Sequence, residues 1–85
     1  MHTVELLEQA VLVAQQLGYE VRQEWLGGSG GACEVGGRKF LFVDLSLNTI
    51  EQLDQVSEAL RVDPAIYSAK LTAPLRKLLG VRRAA

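Results

Sequence analysis

Apolar side chains recur at helical spacing in the first part of the chain. Leu7 and Val11 lie four residues apart within residues 3–17 and share one face with further apolar residues, as in an amphipathic helix. Thr3 can cap the first turn, and Gly18 suits the position after the last turn, where the backbone is often left-handed. The pattern therefore predicts a helix over residues 3–17.

Three strands are predicted after this helix. Residues 19–26 alternate between apolar and charged side chains, which is typical of a strand with one solvated face. The glycine-rich stretch Gly27–Gly31 then breaks the strand. Residues 32–35 and 38–44 form two more strands. The last of these is apolar on both faces over Phe40–Val43, which favours either a central position in the sheet or a strand covered on both sides.

A Gly36-Gly37 link joins the last two strands. Two-residue links of this kind favour a tight primed turn. That turn fixes three opposed pairs, which are Val35 with Arg38, Glu34 with Lys39, and Cys33 with Phe40. The opposite charges of the second pair support this register.

Helical patterns return in the second half of the chain. Asn48 and Glu51 form a capping-box pattern at the start of a helix. Asp63-Pro64 restarts a helical turn, with Asp as the cap and Pro at the first helical position. A last, basic segment carries a leucine stripe, and Pro74 either interrupts this segment or begins it anew.

The predicted fold class is α+β, in a single small globular domain over residues 1–85. The elements follow in the order α-β-β-β-α, with an additional C-terminal helical segment. A three-stranded antiparallel sheet with the helices packed on one face is the simplest way to bury the apolar stripes. A chain of 85 residues is long enough for one domain and too short for two.

The numbers of cysteine and histidine residues limit the kinds of site that the chain can form, and they suggest where in the cell it is located. Cys33 is the only cysteine and His2 the only histidine, so neither an internal disulfide nor a zinc-binding spacing is available. Small secreted domains usually contain disulfides, which favours a cytoplasmic location. We expect no signal peptide and no membrane span, because the apolar runs are far too short. No catalytic residue, cofactor or metal site is predicted.

Charge is distributed unevenly along the chain. Residues 1–63 contain all ten acidic side chains and four basic ones, which gives a formal charge of −6. Residues 64–85 contain five basic side chains and no acidic one, which gives +5. These basic residues are Lys70, Arg76, Lys77, Arg82 and Arg83. They could bind nucleic acid or another polyanion, or their helix could pack on the acidic body with its leucines in the core.

The glycine-rich stretch is a candidate anion-binding loop through Gly28, Ser29, Gly30 and Gly31. Backbone of this composition can point its N–H groups at an anion. The stretch also fits G-x-S-x-G, the pattern of a nucleophilic serine, but that mechanism needs a following helix and a nearby histidine. Here a strand follows, and His2 lies at the start of the chain. The simplest interpretation is a connector, either mobile or closely approached by another backbone.

A few further side chains have two interpretations each. Tyr19 and Trp25 share a strand face and are either core residues or anchors for a partner. Cys33, placed opposite Phe40, is interpreted as a small core residue and not as a reactive thiolate. Four carboxylates gather around the end of the third strand and the second helix, but no further ligand joins them to make a metal or acid–base site, and Glu51, Asp54 and Glu58 are interpreted as a solvated helix face. The fourth carboxylate is Asp44.

The element order over residues 3–61 is similar to that of the double-stranded-RNA-binding domain. That resemblance implies a lysine cluster that grips phosphates at the start of the second helix. Asn48–Gln52 occupies this position and is acidic, which disfavours RNA binding by that mode. A sheet leading into a helix also looks like the core of small intracellular zinc peptidases. Their H-E-x-x-H motif has no counterpart in residues 54–58, which lack histidine.

The leading functional hypothesis is a non-enzymatic protein-interaction module, an accessory or adaptor that binds a protein partner or assembles as a homo-oligomer. High apolar content and the charge polarity support it. Two alternatives stay open at this point. One is nucleic-acid or other polyanion binding through the basic C-terminal helix. The other is a thiol or serine enzyme at the glycine-rich loop.

Overall fold

The computed structural model of the chain describes residues 3–81. Within that range it contains three α-helices, three strands and one 3₁₀ helix. In chain order these are α1 (Thr3–Gln16), β1 (Tyr19–Glu24), β2 (Gly31–Val35), β3 (Arg38–Asp44), α2 (Thr49–Arg61), the 3₁₀ helix (Pro64–Ser68) and α3 (Ala73–Leu79). The predicted α+β class and the predicted order of elements are confirmed.

The sheet is mixed. β3 lies in the centre, as predicted, with β2 antiparallel and β1 parallel to it. The prediction of an antiparallel sheet was therefore wrong for the β1–β3 pair. The cause is the short connection over residues 25–30, which can join β1 to β2 only at one end of the sheet, because a parallel crossover needs a dozen residues or more. β1 must then run opposite to β2 and hence in the direction of β3.

The β2–β3 hairpin has the predicted register. Val35 pairs with Arg38, and the two further predicted pairs follow along the strands. Gly36 and Gly37 have φ angles of 57° and 80°. Positive φ at both central positions is the requirement of a type I′ turn, which a Gly-Gly link meets without steric cost.

The helices cover one side of the sheet only. α1 and α2 pack against the strands, and α3 packs against both of those helices. The buried apolar residues are Ala10, Val13, Ala14, Leu41, Val43, Leu53, Val56, Ala59, Leu60, Ile66, Leu75 and Leu79. Because this core includes Leu75 and Leu79, α3 contributes its leucine stripe to the domain itself, as the intramolecular interpretation of the basic segment predicts.

Side-chain caps fix where the later helices begin. The Asn48 side chain accepts from the Glu51 backbone N–H at 2.9 Å, and the Glu51 side chain accepts from the Asn48 N–H at 3.1 Å. This is the predicted capping box. Asp63 caps the 3₁₀ helix through the N–H of Ala65. Thr72 caps α3, so Pro74 lies in the first turn of a new helix, where its missing N–H costs nothing.

A polar cluster ties the sheet to the segment that follows α2. The Lys39 Nζ atom lies 3.0 Å from the Asp63 carboxylate and 3.1 Å from the Leu17 carbonyl oxygen. The Tyr19 hydroxyl donates to the same carboxylate at 2.9 Å, and Lys39 Nζ lies 4.3 Å from the centre of the Tyr19 ring. Burial and then the hydrogen bond and charge of Asp63 raise the pKa of Tyr19 to about 12.

We expect this raised pKa to be visible in a tyrosine titration. The variant Tyr67→Phe leaves Tyr19 as the only tyrosine, and its absorbance at alkaline pH should show a midpoint near 12. An unperturbed tyrosine titrates near about 10. Because the folded pKa exceeds the unfolded one, the cluster stabilises the fold fully below pH ~10 and loses that contribution as the pH rises toward 12.

The control is the double variant Tyr67→Phe, Asp63→Asn, which lacks the charge beside the hydroxyl. Its tyrosine midpoint should move down toward the ordinary value. A midpoint near ~10 for Tyr67→Phe, in a chain that circular dichroism shows to be folded at that pH, would contradict the assigned cluster.

Candidate functional site: the uncovered face of the sheet

One face of the sheet has no helix of residues 3–81 packed on it. Phe40 and Phe42 point to this side, because they alternate along β3 with the core residues Leu41 and Val43. The register places eight side chains on it, which we call the open face. They are Glu20, Arg22 and Glu24 from β1, Arg38, Phe40 and Phe42 from β3, and Cys33 and Val35 from β2.

The two phenylalanines stack on each other at the middle of the open face. Their ring centroids are 5.9 Å apart and their planes differ by 17°. The guanidinium carbon of Arg38 lies 5.1 Å from the centre of the Phe40 ring, within the range of a cation–π contact. Phe40 and Phe42 remain partly accessible, so the centre of the open face presents aromatic carbon to solvent.

The β1 side of the open face is ionic and internally neutralised. Arg22 contacts Glu20 at 3.0 Å and Glu24 at 3.3 Å, and Arg38 pairs with Glu20 as well. Hydrogen bonding from Arg22 lowers the pKa of Glu20, and hydrogen bonding to Glu20 and Glu24 raises the pKa of Arg22. Both cations of the open face are therefore committed to carboxylates.

The β2 side of the open face is apolar and accessible. Val35 is 61% exposed, and Cys33 is exposed although it lies opposite Phe40 as predicted. The interpretation of Cys33 as a core residue was wrong. An apolar neighbour across the strand did not bring burial, because no helix of the described chain covers that face.

The two aromatic candidates on β1 do not form one site. Tyr19 is partly buried on the helix side, where its hydroxyl is bonded to Asp63. Trp25 lies just beyond the end of β1 and is 77% exposed. Trp25 thus remains available as an interaction residue, whereas Tyr19 has a structural partner.

The glycine-rich loop surrounds a buried carboxylate of the same chain. Asp44, at the end of β3, is fully buried. Its carboxylate accepts hydrogen bonds from the backbone N–H groups of Leu26 at 3.0 Å and of Gly28, and from the N–H and hydroxyl of Ser46 at 2.9 and 2.7 Å. The anion bound by the loop is therefore the side chain of Asp44.

Asp44 is thus separated in environment from Glu51, Asp54 and Glu58, which are exposed as expected of a solvated helix face. Burial alone would raise the pKa of Asp44, but the hydrogen bonds from Leu26, Ser46 and Gly28 outweigh it and lower the pKa to about 2. The carboxylate is consequently charged at neutral pH.

Gly30 is the position where the loop touches the body of the domain. A Cβ atom there would lie 2.7 Å from the Phe42 carbonyl oxygen and would also collide with the amide nitrogen of Gln55. The Gln55 side chain is held in place because its oxygen accepts from the Asp44 N–H at 2.8 Å. The loop is thus closely packed, which favours the connector interpretation.

The requirements of a nucleophilic serine are not met around the loop. The Ser29 hydroxyl donates to the Leu26 carbonyl oxygen at 3.0 Å, and β2, not a helix, follows it. His2, the only histidine, lies outside the described residues. Gly31 begins β2, so it belongs to the hairpin as much as to the loop.

The basic C-terminal residues are only partly described. Lys70 and Lys77 are exposed. Arg76 is partly buried and donates to the Leu71 carbonyl oxygen at 3.0 Å. Arg82 and Arg83 lie outside the described residues. The exposed lysines stand on a segment whose apolar side is already packed in the core.

Comparisons with known proteins add no further constraint. The chain matches no protein-family model, and it has no significant match among curated proteins or solved structures. No helix in residues 3–81 is long and apolar enough to cross a membrane. No metal-binding group of three His, Cys, Asp or Glu side chains occurs in that range either.

The buried carboxylate gives a testable dependence of stability on pH. Asp44→Asn keeps the size of the side chain but replaces the charge with an amide, and we expect the melting temperature at pH 7 to fall by roughly 10 °C. Because the folded pKa of about 2 lies below the unfolded one, wild-type stability should decrease as the pH falls from ~4 toward 2. The variant should lose less over that interval.

Asp54→Asn, at an exposed position of α2, is the matched control and should melt within a few degrees of the wild type. Equal melting temperatures for Asp44→Asn and Asp54→Asn would show that the loop does not depend on the charge. Thermal melts followed by circular dichroism at several pH values are sufficient.

The close approach at Gly30 predicts a second stability difference. Gly30→Ala should destabilise the domain by about 1–3 kcal/mol, because the added methyl group meets backbone and a fixed side chain. Gly36→Asn is the control, since asparagine also adopts the left-handed turn conformation and should change stability by less than ~0.5 kcal/mol. Urea unfolding compares the two, and a Gly30→Ala variant as stable as the wild type would refute the contact.

Proposed function

We propose that the chain is a non-enzymatic, cytoplasmic protein-interaction module that binds a partner protein over the open face. The stacked pair of Phe40 and Phe42 carries this proposal. Aromatic side chains at the centre of an accessible patch are typical energetic anchors of protein interfaces. Their apolar area is continuous with Val35 and Cys33 on one side and bordered by charged residues on the other.

The composition of the open face indicates the chemistry of the partner. Its apolar half, formed by β2 and β3, suits aliphatic or aromatic side chains. Its ionic half presents Glu20, Arg22 and Glu24 at the rim, where charges select a partner and orient it more than they add affinity. A protein surface with an apolar centre and mixed charges at one border is the complementary ligand.

A nucleic acid fits the open face less well than a protein. Aromatic residues on a sheet can stack bases, but most of the affinity for nucleic acid comes from cations that neutralise phosphates. Arg22 and Arg38 are both paired with carboxylates here, and the four charges of Glu20, Glu24 and these two arginines cancel. The open face therefore lacks the positive potential that phosphates require.

Catalysis is supported poorly by the described residues. Lys39 is directed to the helix side and bonded to Asp63, away from the thiol of Cys33. Ser29 is bonded to its own loop. A reactive thiolate or alkoxide needs an adjacent base or cation. The contacts described above give neither Cys33 nor Ser29 such a neighbour.

Polyanion binding is the second candidate, and the exposure of Lys70 and Lys77 favours it. Residues 64–85 contain no acidic side chain that could neutralise them. Such binding would weaken steeply with salt. It would also survive changes to the open face, which separates the two candidates experimentally.

Affinity capture with paired variants tests the interaction module. Phe42→Thr removes an aromatic anchor while keeping a residue that favours strands. Ile50→Thr changes a residue that is 62% exposed on α2, away from the open face. The captured protein should bind Phe42→Thr about 30-fold more weakly and bind Ile50→Thr like the wild type.

Thermal melts must first show that both variants are folded. The open face is not the binding surface if Phe42→Thr leaves capture unchanged, or if Ile50→Thr abolishes capture instead. Capture that disappears with nuclease, or after neutralisation of Lys70 and Lys77, supports the polyanion candidate in its place.

A further inference from the structure

The outer edge of β2 is unpaired along its whole length within the described chain. Val35 and Arg38 flank the two-residue turn and form a hydrogen-bonded pair, so alternate residues of β2 bond to β3. The N–H and C=O groups of Ala32 and Glu34 therefore point away from β3, toward the free edge. Four of the five β2 residues are exposed, so most of the strand is accessible.

The two edges of the sheet differ in their protection against pairing. β1 carries the ionic row of Glu20, Arg22 and Glu24, and α1 packs beside it. β2 has the sequence Gly-Ala-Cys-Glu-Val, with neither lysine nor proline. Natural edge strands usually carry such a feature because a bare edge templates another strand. The edge of β2, on which Glu34 is the one charged side chain, is thus available for pairing in the native fold.

We propose that β2 of one molecule pairs antiparallel with β2 of a second copy, around a two-fold axis at Cys33. This pairing joins two three-stranded sheets into one of six strands. It gives two hydrogen-bonded residue pairs, Ala32 with Glu34 of the second copy and Glu34 with Ala32 of the second copy. The two Cys33 residues face each other in the non-hydrogen-bonded pair between them.

This register is selected among the symmetric alternatives. An axis at Glu34 would place two carboxylates directly opposite each other, which is destabilising. An axis at Ala32 would leave a single hydrogen-bonded pair within the strands and would set Glu34 against the loop. The axis at Cys33 uses both outward-facing residues and opposes each Glu34 with an alanine.

The low net charge of the chain permits a second copy to pair at this edge, and the pairing extends the open face. The formal net charge of the chain is only −1, so two molecules do not repel each other strongly. The pairing places the two Cys33 residues opposite each other, with each Val35 opposite Gly31 of the second copy, and makes a single continuous surface of the two open faces. It rests on the proposed interaction function and deepens it by naming one partner.

The contact is small, so the dimer should be weak. Strand pairing over a few residues buries less than the roughly 1,600 Å² of a standard interface. We expect a monomer–dimer equilibrium that shifts to dimer as the chain concentration approaches ~1 mM under reducing conditions. Sedimentation equilibrium over a range of concentrations measures the dissociation constant.

Ala32→Pro is the decisive variant. It removes the outward-facing N–H of Ala32 and leaves the bonds between β2 and β3 intact, as proline is tolerated on that side of an edge strand. Each dimer loses two of its hydrogen bonds, so the dissociation constant should rise about tenfold or more. Ala32→Ser retains the N–H and should leave the constant within about twofold.

Oxidation of Cys33 tests the register. Opposed Cβ atoms in such a pair lie roughly 4.5–5.5 Å apart, close to the separation in a disulfide. Diamide takes up the two electrons and two protons that the thiols lose, and a covalent dimer should form. Its yield should fall with Ala32→Pro and remain with Ala32→Ser, because random collision of exposed thiols would not distinguish them.

Two outcomes would overturn the pairing. One is a wild-type chain that stays monomeric up to ~1 mM, and the other is a dimer that a folded Ala32→Pro variant retains. In either case, the interaction module would stand if the Ala32→Pro monomer still captured a partner protein and if Phe42→Thr still weakened that capture. Conversely, if Phe42→Thr did not weaken partner binding but Ala32→Pro did weaken the dimer, the interaction module would be refuted and the strand pairing would be supported.

Discussion

The carboxylate of Asp44 holds together the part of the chain on which the topology depends. The loop over residues 25–30 has to carry the backbone from one edge of the sheet past the end of β3 to the other edge. Two backbone N–H groups of this loop would be left without partners in that crossing, and Asp44 accepts from both. A charged acceptor suits this role because its hydrogen bonds are stronger than those of a neutral one.

The different environments of the two faces of β3 follow from the path of that loop. With β1 and β2 on either side of β3, the most apolar strand receives a neighbour on each edge, and its alternate residues divide between two environments. Leu41 and Val43 enter the core, while Phe40 and Phe42 face outward. One strand thus supplies both the centre of the fold and the centre of the open face.

Local features of the fold were predictable from the sequence because local chemistry determines them. The Gly36-Gly37 link specified the turn and with it the hairpin register, and Asn48 with Glu51 specified a helix start. The direction of β1 was not predicted, although the short connection between β1 and β2 determines it. Alternation shows that a strand has a wet face, but it does not identify the neighbouring strand.

The candidate site was harder to predict, since burial is a property of the whole fold. Cys33 was correctly placed opposite Phe40, yet the sequence does not show whether a helix lies above that pair. The burial of Asp44 was not predicted either. The available signal was its position directly after an apolar strand, with Ser46 two residues on, a spacing in which an aspartate often bonds the following backbone.

The cluster of Tyr19, Lys39 and Asp63 bears on the lifetime of the folded state. β2 and β3 meet across a two-residue turn, whereas β1 and β3 are distant in sequence and close a larger loop. Loop closure of that kind is entropically costly, and we therefore expect the hairpin to form before β1 joins it. The cluster draws its members from three separate segments and can assemble only with that last step. Interactions absent from the folding transition state slow unfolding without speeding folding, so we expect this cluster to lower the rate at which the parallel edge of the sheet unfolds.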